Sequence, residues 1–134
     1  MSRRLIALIT LALVAVFAVA ACDSNDTSGD PGAYTVKAEE AVEMIETGDR
    51  TVIDVRRPDE YADSHVVGAI NINVDGADFE ARIDELDPET PYLVYCRSGN
   101  RSARAASQME DAGIKDIADA GGLADLARAG APIE

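Results

Sequence analysis

Cys96 stands in the string Cys96-Arg97-Ser98-Gly99-Asn100-Arg101-Ser102, directly after the apolar run Tyr92-Leu93-Val94-Tyr95. A thiol is a nucleophile only as the thiolate, so the first issue for any cysteine is what would ionise it. Ser98, Gly99 and Asn100 are residues that let backbone amides turn toward one point, and a helix following the loop adds positive potential from its N-terminus. Both lower a thiol pKa. Arg97, Arg101 and Arg104 crowd together in a chain with 25 acidic and 12 basic side chains. That local reversal of sign suits an anionic substrate and a charged sulfur intermediate. The plainer alternative is a buried structural cysteine beside surface arginines, since free cysteine is commonly buried. The position between a strand and a helix favours the nucleophile.

Other chemistries find little support. The chain has one histidine and two cysteines, so no Cys/His cluster has metal-ligand spacing, and neither a metal nor a cofactor is expected. The formal net charge of −13 argues against nucleic-acid binding and against a polybasic membrane patch. A solvated acidic surface accounts for it.

The first residues differ from the rest. Ser2-Arg3-Arg4 is a basic head, Leu5 to Ala21 is apolar except for Thr10, and Cys22 is followed at once by polar residues. A basic start, an apolar run and small residues before a cut describe a secretory signal. Val19-Ala20-Ala21-Cys22 resembles the lipobox of bacterial lipoproteins, which implies a signal peptide at 1–21 and acylation, palmitate included, at Cys22. An uncleaved anchor or ordinary cleavage are the alternatives. All three expect a membrane-associated domain outside the cytoplasm, in the periplasm or at the cell surface. Residues 22–33 then form the lipidated cysteine and a flexible tether, rich in Asp, Ser and Gly with Pro31. Asp23 would suggest inner-membrane retention in some diderm bacteria. Lipidation of Cys22 leaves Cys96 as the lone thiol and excludes an internal disulfide.

About a hundred residues, 34–134, suit one compact domain, and its elements alternate. A helical stripe runs through Ala38, Ala41, Val42 and Ile45 and ends at Gly48. Thr51 to Val55 and Ala69 to Ile72 read as strands, with Pro58 opening a helical turn between them. Phe79, Ile83 and Leu86 mark a helix that stops before Pro88. Tyr92 to Tyr95 is a buried strand, and a helix is expected from about Ser102 to Ala112. Ile117 falls in a last short strand, and Gly121-Gly122 turns into a final helix through Leu123 and Leu126. This order predicts an α/β fold with a mainly parallel central sheet flanked by helices on both faces.

Residues 34–134 resemble the rhodanese-like domain along their length. The likeness rests on Val52-Ile53-Asp54-Val55-Arg56-Arg57-Pro58-Asp59-Glu60-Tyr61 followed by His65-Val66-Val67-Gly68-Ala69-Ile70-Asn71-Ile72, on the loop from Cys96 to Ser102, and on Gly121-Gly122 before the last helix. Sulfurtransferases of this family place four residues between the cysteine and the later arginine, whereas related phosphatases place five. Cys96 and Arg101 have four between them. The resemblance implies that Cys96 takes sulfur from a donor such as thiosulfate, holds it as a persulfide and passes it to cyanide or a thiol. Amides of Arg97, Ser98, Gly99, Asn100, Arg101 and Ser102 would stabilise the charge, Arg101 would brace the loop and Arg97 would attract the anionic donor. Asp54 and Arg56 read more simply as an ion pair or turn contact than as catalysts, and His65 as a structural hydrogen-bonding residue.

Two positions depart from the family. Ser64 stands where glycine usually precedes the histidine, and Leu126 where many relatives carry tryptophan, which bears on the rim and on substrate choice. Competing functions are a sulfur relay that exchanges sulfur with a protein partner with little small-molecule turnover, phosphatase or arsenate-reductase chemistry, and a non-catalytic domain. The loop spacing argues against the phosphatase, and the absence of a second free cysteine argues against a self-resolving reductase. The intact loop argues against a non-catalytic domain.

Overall fold

The computed structural model of the protein describes residues 31–134. The expected signal, Cys22 and most of the tether lie outside these residues.

The chain alternates strand and helix: β1 (Gly32–Thr35), α1 (Ala38–Thr47), β2 (Thr51–Asp54), α2 (Pro58–Asp63), β3 (Ile70–Asn71), α3 (Phe79–Asp84), β4 (Tyr92–Cys96), α4 (Asn100–Asp111), β5 (Asp116–Gly122) and α5 (Leu123–Ala129). The strands form one sheet in the order β1-β5-β4-β2-β3, and every pairing is parallel. Parallel sheets need both faces covered, which is why the central strands are apolar without alternation. β4, in the middle, is buried at all five positions.

Side-chain alternation along β4 sorts the core into two layers. Tyr92, Val94 and Cys96 pack with Ile53, Val55, Phe79, Ile83, Ala105, Ala106 and Met109, under α3 and α4. Leu93 and Tyr95 pack with Ala41, Val42, Val52, Ala118 and Leu126, under α1 and α5. The thiol therefore faces the α4 side, and Tyr95, its neighbour in the chain, faces the other.

The structure moves several boundaries. Gly32 and Ala33, read as tether, pair with Asp116 and Ile117; pairing along the sheet edge, which a local composition cannot show, overrides their tether-like character. α4 begins at Asn100 rather than Ser102, so only Arg97, Ser98 and Gly99 separate strand from helix. β5 runs on to Gly122, so Gly121-Gly122 ends a strand instead of forming a free turn. Leu126 is fully buried in the α1–α5 layer, so its departure from tryptophan concerns the core and not a rim. Ser64 has φ −171°, extended backbone that any residue adopts, and needs no glycine.

Candidate active site at the carboxyl end of β4

The site is built where the central strand gives way to a helix. β4 carries Cys96 to the carboxyl edge of the sheet, and three residues reverse the chain into the twelve-residue α4. The reversal depends on Gly99, which precedes α4 at φ +99°, a conformation costly for any residue with a Cβ. This tight turn brings the backbone N–H of Gly99 to 3.0 Å from Cys96 Sγ.

Ser102, fully buried in the first turn of α4, places its Oγ 3.6 Å from Sγ and donates to the Gly99 carbonyl at 3.0 Å. Burial pushes the Cys96 thiol up. Hydrogen bonds from the Ser102 hydroxyl and from the amides of Ser102, Ser98 and Gly99 outweigh it, and the pKa falls below the ordinary thiol value. The single hydroxyl proton of Ser102 serves one acceptor at a time. Against the thiol it goes to the Gly99 carbonyl; against the thiolate it can turn to sulfur. The amides are the constant part of the stabilisation.

The three arginines have different surroundings. Arg101 makes a two-pronged ion pair with Glu60, Nη1 to Oε2 at 2.6 Å and Nη2 to Oε1 at 2.9 Å. Arg104 pairs with Asp75. Two of the three positive charges are thus compensated, and the sign reversal expected from sequence is smaller than three arginines suggest. Arg97 is exposed, in the loop between β4 and α4. Ser98 and Asn100 are also exposed, and their side chains leave the sulfur to the backbone.

Glu60 is the residue whose part the sequence reading missed. It sits in the first turn of α2, where Pro58 occupies the first helical position, and it also accepts the Arg57 N–H at 3.2 Å. An acid there reads as a partner of its own helix end. Its bond to Arg101 crosses 41 residues of sequence, and the only local signal was its place in the Asp59-Glu60-Tyr61 stretch.

Asp54, Arg56 and His65 do not join the sulfur. Asp54 is fully buried and its carboxylate accepts from Arg56 Nε at 3.0 Å, from Arg56 Nη2 at 2.7 Å and from the Tyr95 hydroxyl at 2.8 Å. Tyr95 Oη in turn accepts the Val66 N–H at 3.0 Å, and Arg56 Nη2 reaches the Ser64 carbonyl at 2.5 Å. Burial raises the Tyr95 pKa, so the phenol stays a neutral donor. This network lies on the Tyr95 side of the sheet and fastens β2 to β4 and to the segment at Ser64–Val66. His65 stacks on Tyr61 with ring centroids 3.8 Å apart, places Nδ1 2.9 Å from the Tyr61 carbonyl, and exchanges both backbone hydrogen bonds with Glu134. It fastens the C-terminus.

Gly122 lies opposite Cys96 in the sheet, and the loop rests against it. A Cβ there would meet the Arg97 carbonyl oxygen at 2.7 Å and the Ser98 Cα at 3.3 Å, contacts that backbone cannot yield without moving. Gly122→Ala is therefore expected to cost about 1–3 kcal/mol in overpacking and to slow alkylation of Cys96 about tenfold at neutral pH. Chemical denaturation and a timed iodoacetamide reaction measure the two effects. Unchanged alkylation would show that the loop does not depend on this contact.

Comparison with known proteins agrees with this arrangement. The model of the rhodanese-like domain matches residues 37–127. The thiosulfate sulfurtransferase PspE of Escherichia coli is 36% identical over 75 residues, covering 56% of this chain and 72% of that protein. The thiosulfate sulfurtransferase GlpE of Pseudomonas putida is 34% identical over 100 residues, covering 74% and 88%. Among solved structures, a rhodanese-related protein from Thermoplasma volcanium superposes with a TM-score of 0.65 at 28% identity over 75% of this chain and 96% of that one. A five-stranded parallel sheet covered on both faces, a cysteine at the end of its central strand and a family match over residues 37–127 lead to one conclusion: the chain belongs to the rhodanese-like domain family.

Proposed function

We propose that this protein is a sulfurtransferase that carries sulfane sulfur as a persulfide on Cys96. The observation that supports it most is the setting of the sulfur atom: buried, 3.0 Å from the Gly99 amide, and held below its ordinary pKa by hydrogen bonds from a tight loop. The two relatives named as thiosulfate sulfurtransferases point to the donor class.

The Cys96 thiolate attacks the outer sulfur of thiosulfate. A new S–S bond forms, the donor's S–S bond breaks, and sulfite leaves with the electron pair. The persulfide's outer sulfur carries the negative charge, which the amides of Ser98, Gly99 and Ser102 stabilise. A nucleophilic acceptor, cyanide in an assay or a thiol, then takes that sulfur and returns the thiolate. Arg97 draws the anionic donor inward. No general base is needed once the thiol is ionised.

The test is the mass of the Cys96-containing peptide after the full-length protein, in mild detergent, has met thiosulfate, followed by thiocyanate release on adding cyanide. A gain of one sulfur atom with repeated turnover is expected. No gain on a Cys96 that still alkylates would sink the thiosulfate reading in favour of a relay fed by a protein partner.

We also propose that the protein is exported and lipid-anchored through Cys22, on the strength of Val19-Ala20-Ala21-Cys22 after an apolar run. Among the described residues no helix is long and apolar enough to cross a membrane. Because all strands are parallel, the chain enters β1 at the end of the sheet opposite Cys96. Cys22→Ala is expected to lose label from a fatty-acid analogue fed to producing cells and to leave the membrane fraction. Retained label would refute acylation at this residue.

A further inference from the structure

β5 carries one residue more than its partner beside the site. Val94 lies opposite Asp119 and Cys96 opposite Gly122, so two steps along β4 face three along β5. The extra residue makes a β-bulge at Ala120–Gly121, a feature found beside active sites because it re-aims the chain. Gly121 takes φ +75° within it.

Asp119 closes this bulge. Its Oδ1 accepts the Gly121 N–H at 3.0 Å, a carboxylate holding the backbone two residues on. Its carbonyl accepts the Val36 N–H at 3.0 Å, which ties the same residue to the end of β1. The residue is buried, at 7% exposure, and lines a shallow cleft with Ala103, Ala106, Ser107 and Glu110 of α4. An apolar residue there would leave Gly121 without its acceptor.

What the bulge positions is the floor of the loop. Gly122 supports the Arg97 carbonyl, and Gly121 Cα lies 3.6 Å from where a Gly99 Cβ would stand. The Arg97 carbonyl and the Ser98 N–H belong to one planar peptide unit. Displacing the carbonyl therefore moves the loop that carries the Gly99 N–H, 3.0 Å from Cys96 Sγ.

We propose that Asp119 is a positioning residue for the Cys96 thiolate: by holding the β5 bulge it fixes the loop whose Gly99 N–H reaches the sulfur. This rests on Cys96 acting as the sulfur carrier, and it is tested by a reaction that needs no sulfur donor. The rate of Cys96 alkylation by iodoacetamide, read from the mass of its peptide, is followed against pH in the full-length protein and in Asp119→Asn, Asp119→Ala and Asp119→Val. Valine suits a strand beside alanines and keeps the fold testable should the alanine variant unfold.

Asparagine keeps the acceptor oxygen, so its profile is expected to follow the parent within about twofold. Alanine and valine are expected to shift the profile to higher pH and to slow alkylation at pH 7 about three- to tenfold. A folded valine variant with the parent's profile would overturn the proposal, as would an asparagine variant that behaves like valine. A parent protein that takes no sulfur from thiosulfate would instead count against the transfer reading, and the alkylation profiles would still decide the part played by Asp119.

Discussion

Cys96→Ser is expected to abolish sulfur loading, with no mass gain after thiosulfate and thiocyanate release lowered at least about a thousandfold. Serine is nearly the same size, and its hydroxyl can meet the Gly99 amide and Ser102 Oγ that now face sulfur. The fold should therefore stand, with a stability change of about 1 kcal/mol. What is lost is ionisation. A thiol held below its ordinary pKa supplies more thiolate than a free thiol would, whereas an alcohol in the same loop stays protonated, and among the described residues no general base adjoins it. Peptide mass and thiocyanate formation check the result, with circular dichroism showing that the variant is folded. Undiminished turnover in the serine variant would remove Cys96 from the chemistry altogether.

The second large effect is expected at Glu60, which never touches the sulfur. Its carboxylate holds Arg101 in the first turn of α4, with side chains 18% and 23% exposed. Glu60→Gln keeps the shape and removes the charge, leaving the Arg101 guanidinium half-buried without its partner. The pair lies between an exposed bridge and a buried one, so about 2 kcal/mol of stability should be lost, lowering Tm by about 8 °C for a domain of this size. Arg101 sits within the loop-to-helix turn, and a displacement on the order of 1 Å there should slow sulfur loading about tenfold to a hundredfold.

The pH dependence gives the same pair a separate signature. Arg101 holds the Glu60 carboxyl at about 2, against an ordinary 4.5. A group whose pKa falls on folding stabilises the fold fully above its ordinary value. That stabilisation is lost as pH falls from about 4.5 toward 2. Glu60→Gln has no such proton to bind, so its stability should decline less steeply than the parent's over that window. Denaturation midpoints at several acidic pH values measure the slopes, and equal slopes would show that the pair contributes nothing there.

How much of this was legible in the chain follows from the range of each interaction. The order of strands and helices, the parallel sheet and the loop at Cys96 could be read because their signals are local. A continuous apolar run means a strand buried on both faces, a period near 3.6 means a helix, and small turn-forming residues after a strand mean a tight reversal. The thiol's place at a strand end was visible for the same reason. Helix and strand ends were less so: α4 starts two residues early because the Gly99 conformation, and not residue preference, sets where the first turn closes.

Tertiary structure alone decided which charges meet. Asp54 and Arg56 are two residues apart, and their pairing could be anticipated; the Tyr95 hydroxyl that completes it arrives from another strand. Glu60 and Arg101 are 41 residues apart, and nothing in either local string says that α2 and α4 present them to one another. Gly122 reads as a turn until parallel pairing sets it against Cys96 and the loop lies across it. Residue type and spacing thus determined which atom can do the chemistry, because nucleophilicity belongs to the side chain. The folded arrangement decided what holds that atom ionised, because hydrogen bonds act over about 3 Å in space, whatever the distance along the chain.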